Sequence, residues 1–295
     1  MSAGSLGRYG LWAGGADALP AADVEAFGQA VEAAGIPAVW VAEGLGRDSL
    51  LTSAILLSAT DALSVGTAVT ITWSRAPIMM VGGQQSLSEW FPDRFTLGLG
   101  VSHELMNQMR NLEYATPYQH LREYLAAMEA VNYGSIPAPS TRTLLGAQGP
   151  RMLALAAEHL DGALPYLGTP EHTAQVREIL GPDAIVAPEQ GIVLSTDAEE
   201  ARAIARANLS IYINNLPNYY RNWFRLGFDE SDLADNGSDR LIDALVAWGD
   251  DEAAAARIRA HLDAGADHVV VQVLSADRVP TSEAIQRVAD IGATL

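Results

Sequence analysis

His103 follows directly on LGLGVS, at the end of an apolar run that reads as a strand. An imidazole there can hold or move a proton near neutral pH. Gly98 and Gly100 lie two apart in the same run and so share one face. On an inward face they would leave a hole that a flat ring system could fill, or else mark a bulge or close packing. Glu43 ends a second apolar run, AVWVAE, where it could act as acid, base or hydrogen-bond acceptor. The plainer alternative is a salt bridge, for example with Arg47. In GAQGPRMLALAAEH, Gly146, Gly149 and Pro150 shape a turn into a helix. Free N–H groups and the helix dipole make such a start an anion site, with Arg151 adding charge, although an ordinary turn has the same signature. Thr70, Thr72 and Arg75 place hydroxyls and a guanidinium in TAVTITWSRAP, where β-propensity and a surface arginine account for them equally well. His120, His159, His172, His261 and His268 show no metal-ligand spacing, and no HExxH, Ser-His-Asp or GxGxxG signature stands out.

Composition removes several chemistries. Cysteine is absent, so disulfides, thiolate metal sites and cysteine nucleophiles are excluded. All 18 basic residues are arginine, which excludes Schiff-base catalysis on lysine and a P-loop. A formal charge of −18 repels nucleic acid and anionic membrane, so an anionic ligand must be met locally by arginine and backbone N–H groups. No apolar stretch reaches the roughly 20 residues of a membrane span, and MSAGSLGRYG lacks the basic and apolar regions of a signal peptide. A cytoplasmic protein acting on a small molecule is the expectation.

Helical and strand patterns alternate along the chain, as a parallel sheet with crossover helices requires. The spacing predicts strands at 8–15, 38–43, 64–72, 94–102, 141–147, 162–167, 191–195 and 268–274. Helices are predicted at 21–34, with Val24, Phe27, Val31 and Ala34 on one face, and at 50–60, 77–90 and 118–131. Pro150 and Thr169–Pro170 open further helices, Thr196 and Glu199 have capping-box spacing, and 197–209 and 229–243 read as helices with solvated acidic faces. Eight βα units in one domain, 1–295, favour a (β/α)₈ barrel over a doubly wound sheet. Residues 210–250 break the rhythm and read as an insertion between the seventh and eighth units. Its aromatics at 219–224 suit core packing, or a lid or substrate pocket.

Taken in order, GRYGLWAG, AVWVAEGLGRD, the run into RAP, FPDRFTLGLGVSH, GAQGPRMLALAAEHLDGALPYLGTPEHT and AGADHVVVQV resemble the luciferase-like monooxygenase superfamily. The likeness spans nearly the whole chain and is nearest to the branch that uses coenzyme F420, an 8-hydroxy-5-deazaflavin. It implies a TIM barrel with its ring site at the C-terminal face and a non-prolyl cis peptide near Ala68–Val69. By the same likeness Ala68, Val69, Thr70, Gly100, Val101 and Ser102 would line the ring, and Ala147, Gln148, Gly149, Pro150, Arg151 and Met152 would hold the cofactor phosphate. The implied activity is hydride transfer between F420 and a small organic substrate by a homodimer, with His103 or Glu43 handling the proton. Characterised relatives often carry Asp or His after strand two and Glu after strand four, roughly the reverse of Glu43 and His103. Some bind the cofactor's acidic tail with lysines, for which arginine and backbone must stand in here. The alternatives are an FMN-dependent monooxygenase and a non-catalytic flavin-binding protein. An unrelated phosphate-binding barrel would need a lysine or metal cluster.

Overall fold

A computed structural model describes residues 6–277 and 279–295. Its strands are β1 Tyr9–Ala13, β2 Ala38–Val41, β3 Ser64–Thr67, β4 Thr70–Ile71, β5 Phe95–Gly100, β6 Thr143–Leu145, β7 Gly162–Ala163, β8 Ile185–Val186, β9 Glu189–Val193, β10 Val246–Trp248 and β11 Val269–Val273. All pairings are parallel, and β11 pairs with both β1 and β9. Because β3/β4 and β8/β9 are each one broken strand position, the neighbours close into a ring of eight: a (β/α)₈ barrel. β10 pairs with the far end of β9, Val246 beside Gly191, and stands outside the eight.

The helices are α1 Ala21–Ala33, α2 Ser49–Ala59, α3 Pro77–Trp90, α4 Glu104–Met109, α5 Pro117–Glu129, α6 Pro150–His159, α7 Pro170–Leu180, α8 Ala198–Asn215, α9 Pro217–Arg225, α10 Asp239–Leu245, α11 Asp251–Asp263 and α12 Ser282–Gly292. α1 buries Val24, Phe27 and Val31 as its periodicity requires, and Gly35 takes φ +80° just beyond its end. Pro77, Pro150 and Pro170 open α3, α6 and α7, with the Thr169 hydroxyl accepting from His172 N–H.

Several expectations change. The strand expected at 64–72 is interrupted by the Ala68–Val69 bond, which is cis, and Thr72 lies in a 3₁₀ turn. Of 162–167 only Gly162–Ala163 pairs as strand, because Leu167 takes φ +53° and turns the chain over the barrel mouth. The cap of α8 is Asp197, accepting from Glu199 and Glu200 N–H, rather than a Thr196–Glu199 box. Residues 229–243 divide into a 3₁₀ segment, Glu230–Asn236, and α10, because Ala234 and Asp235 leave helical geometry. Between β9 and β11 the chain therefore carries α8, α9, α10, β10 and α11.

The barrel interior is plugged at one end by fully buried Trp40, packed with Leu6, Ala38, Leu144 and Val270. Trp40 Nε1–H donates to His268 Nε2 at 2.9 Å, which leaves His268 Nδ1–H to donate to Gly7 O at 2.9 Å. That fixes a neutral tautomer in the core. A second apolar cluster joins α8, α9 and α10 to β9 through Leu209, Trp223, Leu241 and Val193.

Candidate active site

A cavity of about 510 Å³ opens at the C-terminal ends of the strands, within the size range of small-molecule sites. Its floor is set by the break in the third strand. The Val69 side chain occupies space left by two glycines: a Cβ on Gly100 would lie 2.4 Å from Val69 Cγ2, and one on Gly146 2.8 Å from Cγ1. Ala68, Val69, Gly100, Val101 and Ser102 all line the cavity. Gly98 does not. A Cβ there would fall 1.8 Å from Thr67 O, so this glycine serves close strand packing rather than a hole. Thr70 also lies off the wall, its hydroxyl bonded to Ser49 at 2.9 Å.

Glu43 reaches the wall, but both carboxylate oxygens are engaged. Arg75 Nη1 donates to them at 2.9 and 2.7 Å, and Ile71 N–H adds a bond of 2.9 Å to Oε2. Arg75 also pairs with Asp48, which caps α2. The partner expected from sequence, Arg47, instead donates to Leu19 O. Glu43 therefore ties β2, β4 and α2 together. Arg110 completes the tie by donating to Glu43 O and Gly44 O at 2.9 Å each.

His103 follows β5 and stands at the N-cap of α4, inside the cavity. Its Nε2 lies 3.5 Å from Tyr219 Oη. Burial, reinforced by the Arg110 charge, pushes its pKa down to about 4 against the opposing pull of Asn218. At neutral pH the ring is uncharged and keeps a lone pair for an incoming proton.

The turn before α6 contributes Ala147, Gln148, Gly149 and Met152 to the wall. His172 and Gln148 pin it: the His172 ring contacts Gln148 O at 2.9 Å, and Gln148 Nε2–H donates to Tyr166 O. Pro150 and Arg151, expected in the phosphate site, lie off the cavity, and the Arg151 guanidinium sits over the Tyr118 ring at 4.2 Å. Besides Arg110, the arginines lining the cavity are Arg221 and Arg225 of α9. Arg225 Nη1 would lie 3.5 Å from a Cβ on Gly149. Neither makes an ion pair or hydrogen bond among the described residues. Sequence reasoning missed both, although their i, i+4 spacing in PNYYRNWFR places them on one helix face. In the same segment Trp223 is core, its Nε1–H donating to Leu167 O, whereas Tyr219 lines the cavity.

A third missed residue is Glu189, at the start of β9 on the inner wall and 3 % exposed. Its Oε2 accepts from Leu167 N–H at 3.0 Å, while Oε1 has no partner. Burial pushes its pKa up to about 8. The sequence signal was an acid opening an otherwise apolar strand in PEQGIVL.

These buried groups give the fold a pH optimum. Burial drives His261 to about 3 and His268 to about 4, against 6.5 when unfolded. The stability each contributes by staying neutral is intact above pH 6.5 and is lost as pH falls, by up to about 1.4 kcal/mol per unit. Glu189 acts in the opposite sense, its contribution lost as pH rises from 4.5 through about 8. These two histidines, with His103, His172 and His120 shifted in the same direction, outweigh one carboxyl below pH 6.5, and the carboxyl is the group that titrates above it. Unfolding free energy from urea titrations should therefore peak near pH 6.5 and decline on both sides. A monotonic rise to pH 8 would contradict the neutral state of Glu189.

The family model described as luciferase-like monooxygenase matches residues 2–268. The chain belongs to that family. Relatives within reach include a 5,10-methylenetetrahydromethanopterin reductase of Methanolobus tindarius, 23% identical over 295 residues, with 85% of this chain and 90% of the relative covered. A putative coenzyme F420-dependent oxidoreductase of Mycobacterium tuberculosis is 24% identical over 313 residues, with the same coverage of 85% and 90%. Among solved structures, an F420-dependent secondary alcohol dehydrogenase in complex with an F420-acetone adduct superposes with a TM-score of 0.77 at 14% identity, covering 99% of this chain and 98% of that one. The FMN complex of the oxygenating constituent of 3,6-diketocamphane monooxygenase from Pseudomonas putida, a type II Baeyer–Villiger enzyme, gives 0.69 at 14% identity, covering 97% and 98%. At these identities the superpositions establish the luciferase-like barrel fold.

Proposed function

We propose that this luciferase-like barrel is an oxidoreductase that transfers a hydride between coenzyme F420 and a small organic substrate. The observation that carries the reading is the mixed chemistry of one cavity wall. The turn at the N-terminus of α6 lines it with Arg221 and Arg225, and so do an uncharged His103 and the rings of Trp12, Tyr166, Tyr212 and Tyr219. An anionic cofactor tail fits the α6 turn, where helix N–H groups and the nearby Arg225 guanidinium meet phosphate. The buried Gln148 Oε1, which lacks a partner, is a further polar group for a ligand to satisfy. The relatives named as F420-dependent support the cofactor.

When bound, the deazaflavin supplies a two-electron hydride donor or acceptor. Val69, Ala68, Gly100, Val101 and Ser102 would hold the ring. Ala147, Gln148, Gly149 and Met152 would hold the tail together with Arg225, in the part that the resemblance implies for Arg151. His103 accepts or returns the substrate proton at a ring nitrogen. Glu43 positions: through Arg75 and Ile71 N–H it fixes the β4 bend that carries Val69. Single-domain organisation, cytoplasmic location and a homodimeric state belong to the same proposal.

Titration with F420 and with FMN, followed by ring fluorescence, tests it. F420 should bind the more tightly, and Arg225→Ala should weaken it about tenfold, the loss of one charge-assisted contact of about 1.5 kcal/mol. Tight binding of FMN alone would transfer the reading to a monooxygenase, as the FMN-bound neighbour suggests. Binding of neither would overturn the enzyme reading.

A further inference from the structure

Glu189 is not explained by the hydride-transfer machinery. Among the described residues only two acidic side chains are buried this deeply, Glu189 at 3 % and Asp232 at 5 % exposure. Asp232 is paired with Arg240 at 2.6 Å, whereas Glu189 forms no ion pair. Its Oε1 lacks any hydrogen-bond partner. A buried acid in this state is costly unless something completes it.

The groups around it are aromatic. Trp12 and Tyr166 have ring centroids 5.4 Å apart, Tyr166 and Tyr212 5.4 Å, and Tyr212 and Tyr219 5.0 Å. All four line the same cavity as Glu189, and the three tyrosines feel its charge. The Tyr166 hydroxyl is already committed, donating to Gln272 Oε1 at 2.9 Å. What this wall offers a ligand is π-faces and one uncompensated carboxyl, the combination that recognises a cation on nitrogen.

We propose that Glu189, with Trp12, Tyr166, Tyr212 and Tyr219, forms a subsite for a positively charged nitrogen, so that the substrate class is amines and their iminium ions. The inference rests on the oxidoreductase reading for its chemistry. A neutral amine gives up hydride from the carbon beside nitrogen to the oxidised deazaflavin and becomes an iminium ion; hydride from the reduced cofactor returns the amine. Glu189 is the counter-ion of the cationic partner. The chain's charge of −18 also concentrates cations around it.

Free Glu189 holds its proton at neutral pH, so a cation must displace it. The polar groups facing the carboxyl are Leu167 N–H ahead of α7, Tyr166, Tyr212 of α8 and Tyr219 of α9, and Oε1 lies 3.5 Å from the Cβ position of Gly191, next to Leu274. The tyrosines are shifted further upward by burial, so Glu189 is the group among them that ionises near pH 8. Cation affinity should then rise about tenfold per pH unit up to pH 8 and level off.

The test is calorimetry with benzyltrimethylammonium and its neutral isostere neopentylbenzene at pH 6, 7 and 8, in phosphate and in Tris. The expected result is at least tenfold preference for the cation at pH 8, an affinity that climbs with pH, and release of about one proton per site at pH 7. Glu189→Gln should abolish preference and proton release while leaving F420 binding unchanged. Proton release by the unaltered protein decides the matter even if the variant does not fold. Equal or tighter binding of neopentylbenzene, cation affinity flat with pH, or no cation binding would overturn the proposal. Loss of F420 binding would instead overturn the oxidoreductase reading, because the cation measurements need no cofactor.

Discussion

His103→Ala should leave F420 affinity within about twofold and lower turnover by about 10²–10⁴-fold, the range for removal of a positioned proton-transfer group. The separation follows from the geometry. The groups proposed to hold the cofactor tail are Gly149, the N-cap of α6, and Arg225 at the end of α9, whereas His103 follows β5 and meets α9 at its first turns through Tyr219. Burial and Arg110 hold the imidazole at about 4, so the wild-type rate at saturating substrate should be level from pH 5 to 7 and fall only as pH approaches 4. Tyr219→Phe should cause a smaller loss, because Tyr219 contacts His103 at 3.5 Å and only orients it. Steady-state kinetics with parallel fluorescence titration checks all three. Unchanged turnover in His103→Ala would remove the proton role, and joint loss of turnover and binding would make His103 a structural residue.

Gly98→Ala should destabilise the fold by at least about 3 kcal/mol, at the upper end of overpacking effects. A Cβ at Gly98 would meet Thr67 O at 1.8 Å and Leu164 Cδ1 at 2.7 Å. Backbone cannot yield as a flexible side-chain end does, so β5 must move away from β3. That movement breaks two buried bonds of 2.9 Å, Thr67 Oγ1–H to Gly98 O and Gly98 N–H to Thr67 Oγ1, whose roles the rotating hydroxyl shares. Lost buried hydrogen bonds add to the steric cost. Gly82→Ala in α3 is the control: nothing lies within 4 Å of its Cβ position, and alanine should stabilise the helix by about 0.5–1 kcal/mol. Urea unfolding of the two variants beside wild type gives both values. A Gly98→Ala change below about 0.5 kcal/mol would show that the strands can part freely there.

The pair of predictions also shows where sequence reasoning reached its limit. LGLG gives two glycines on one face, which is compatible with a ring site or with close packing. Gly98 proves to be packing and Gly100 to be cavity wall, because the chain bends at Ala68–Val69 opposite the second glycine. The turn 146–152 was visible as a helix start, but which arginine serves it was not. Arg151 leans outward onto Tyr118, and Arg225 arrives from a helix more than 70 residues later.

The sequence by itself determined the alternation of strands and helices, the apolar face of α1, the proline-led starts of α3, α6 and α7, and the placement of His103 behind β5. These follow from local periodicity and capping, which depend on neighbours a few residues away. Only the tertiary structure decided that Glu43 pairs with Arg75 rather than Arg47, that Arg221 and Arg225 reach the cavity, and that Glu189 is desolvated with no cation beside it. Each of these depends on distances between segments far apart in the chain and on exclusion of water, and neither quantity has a local signature in the order of residues.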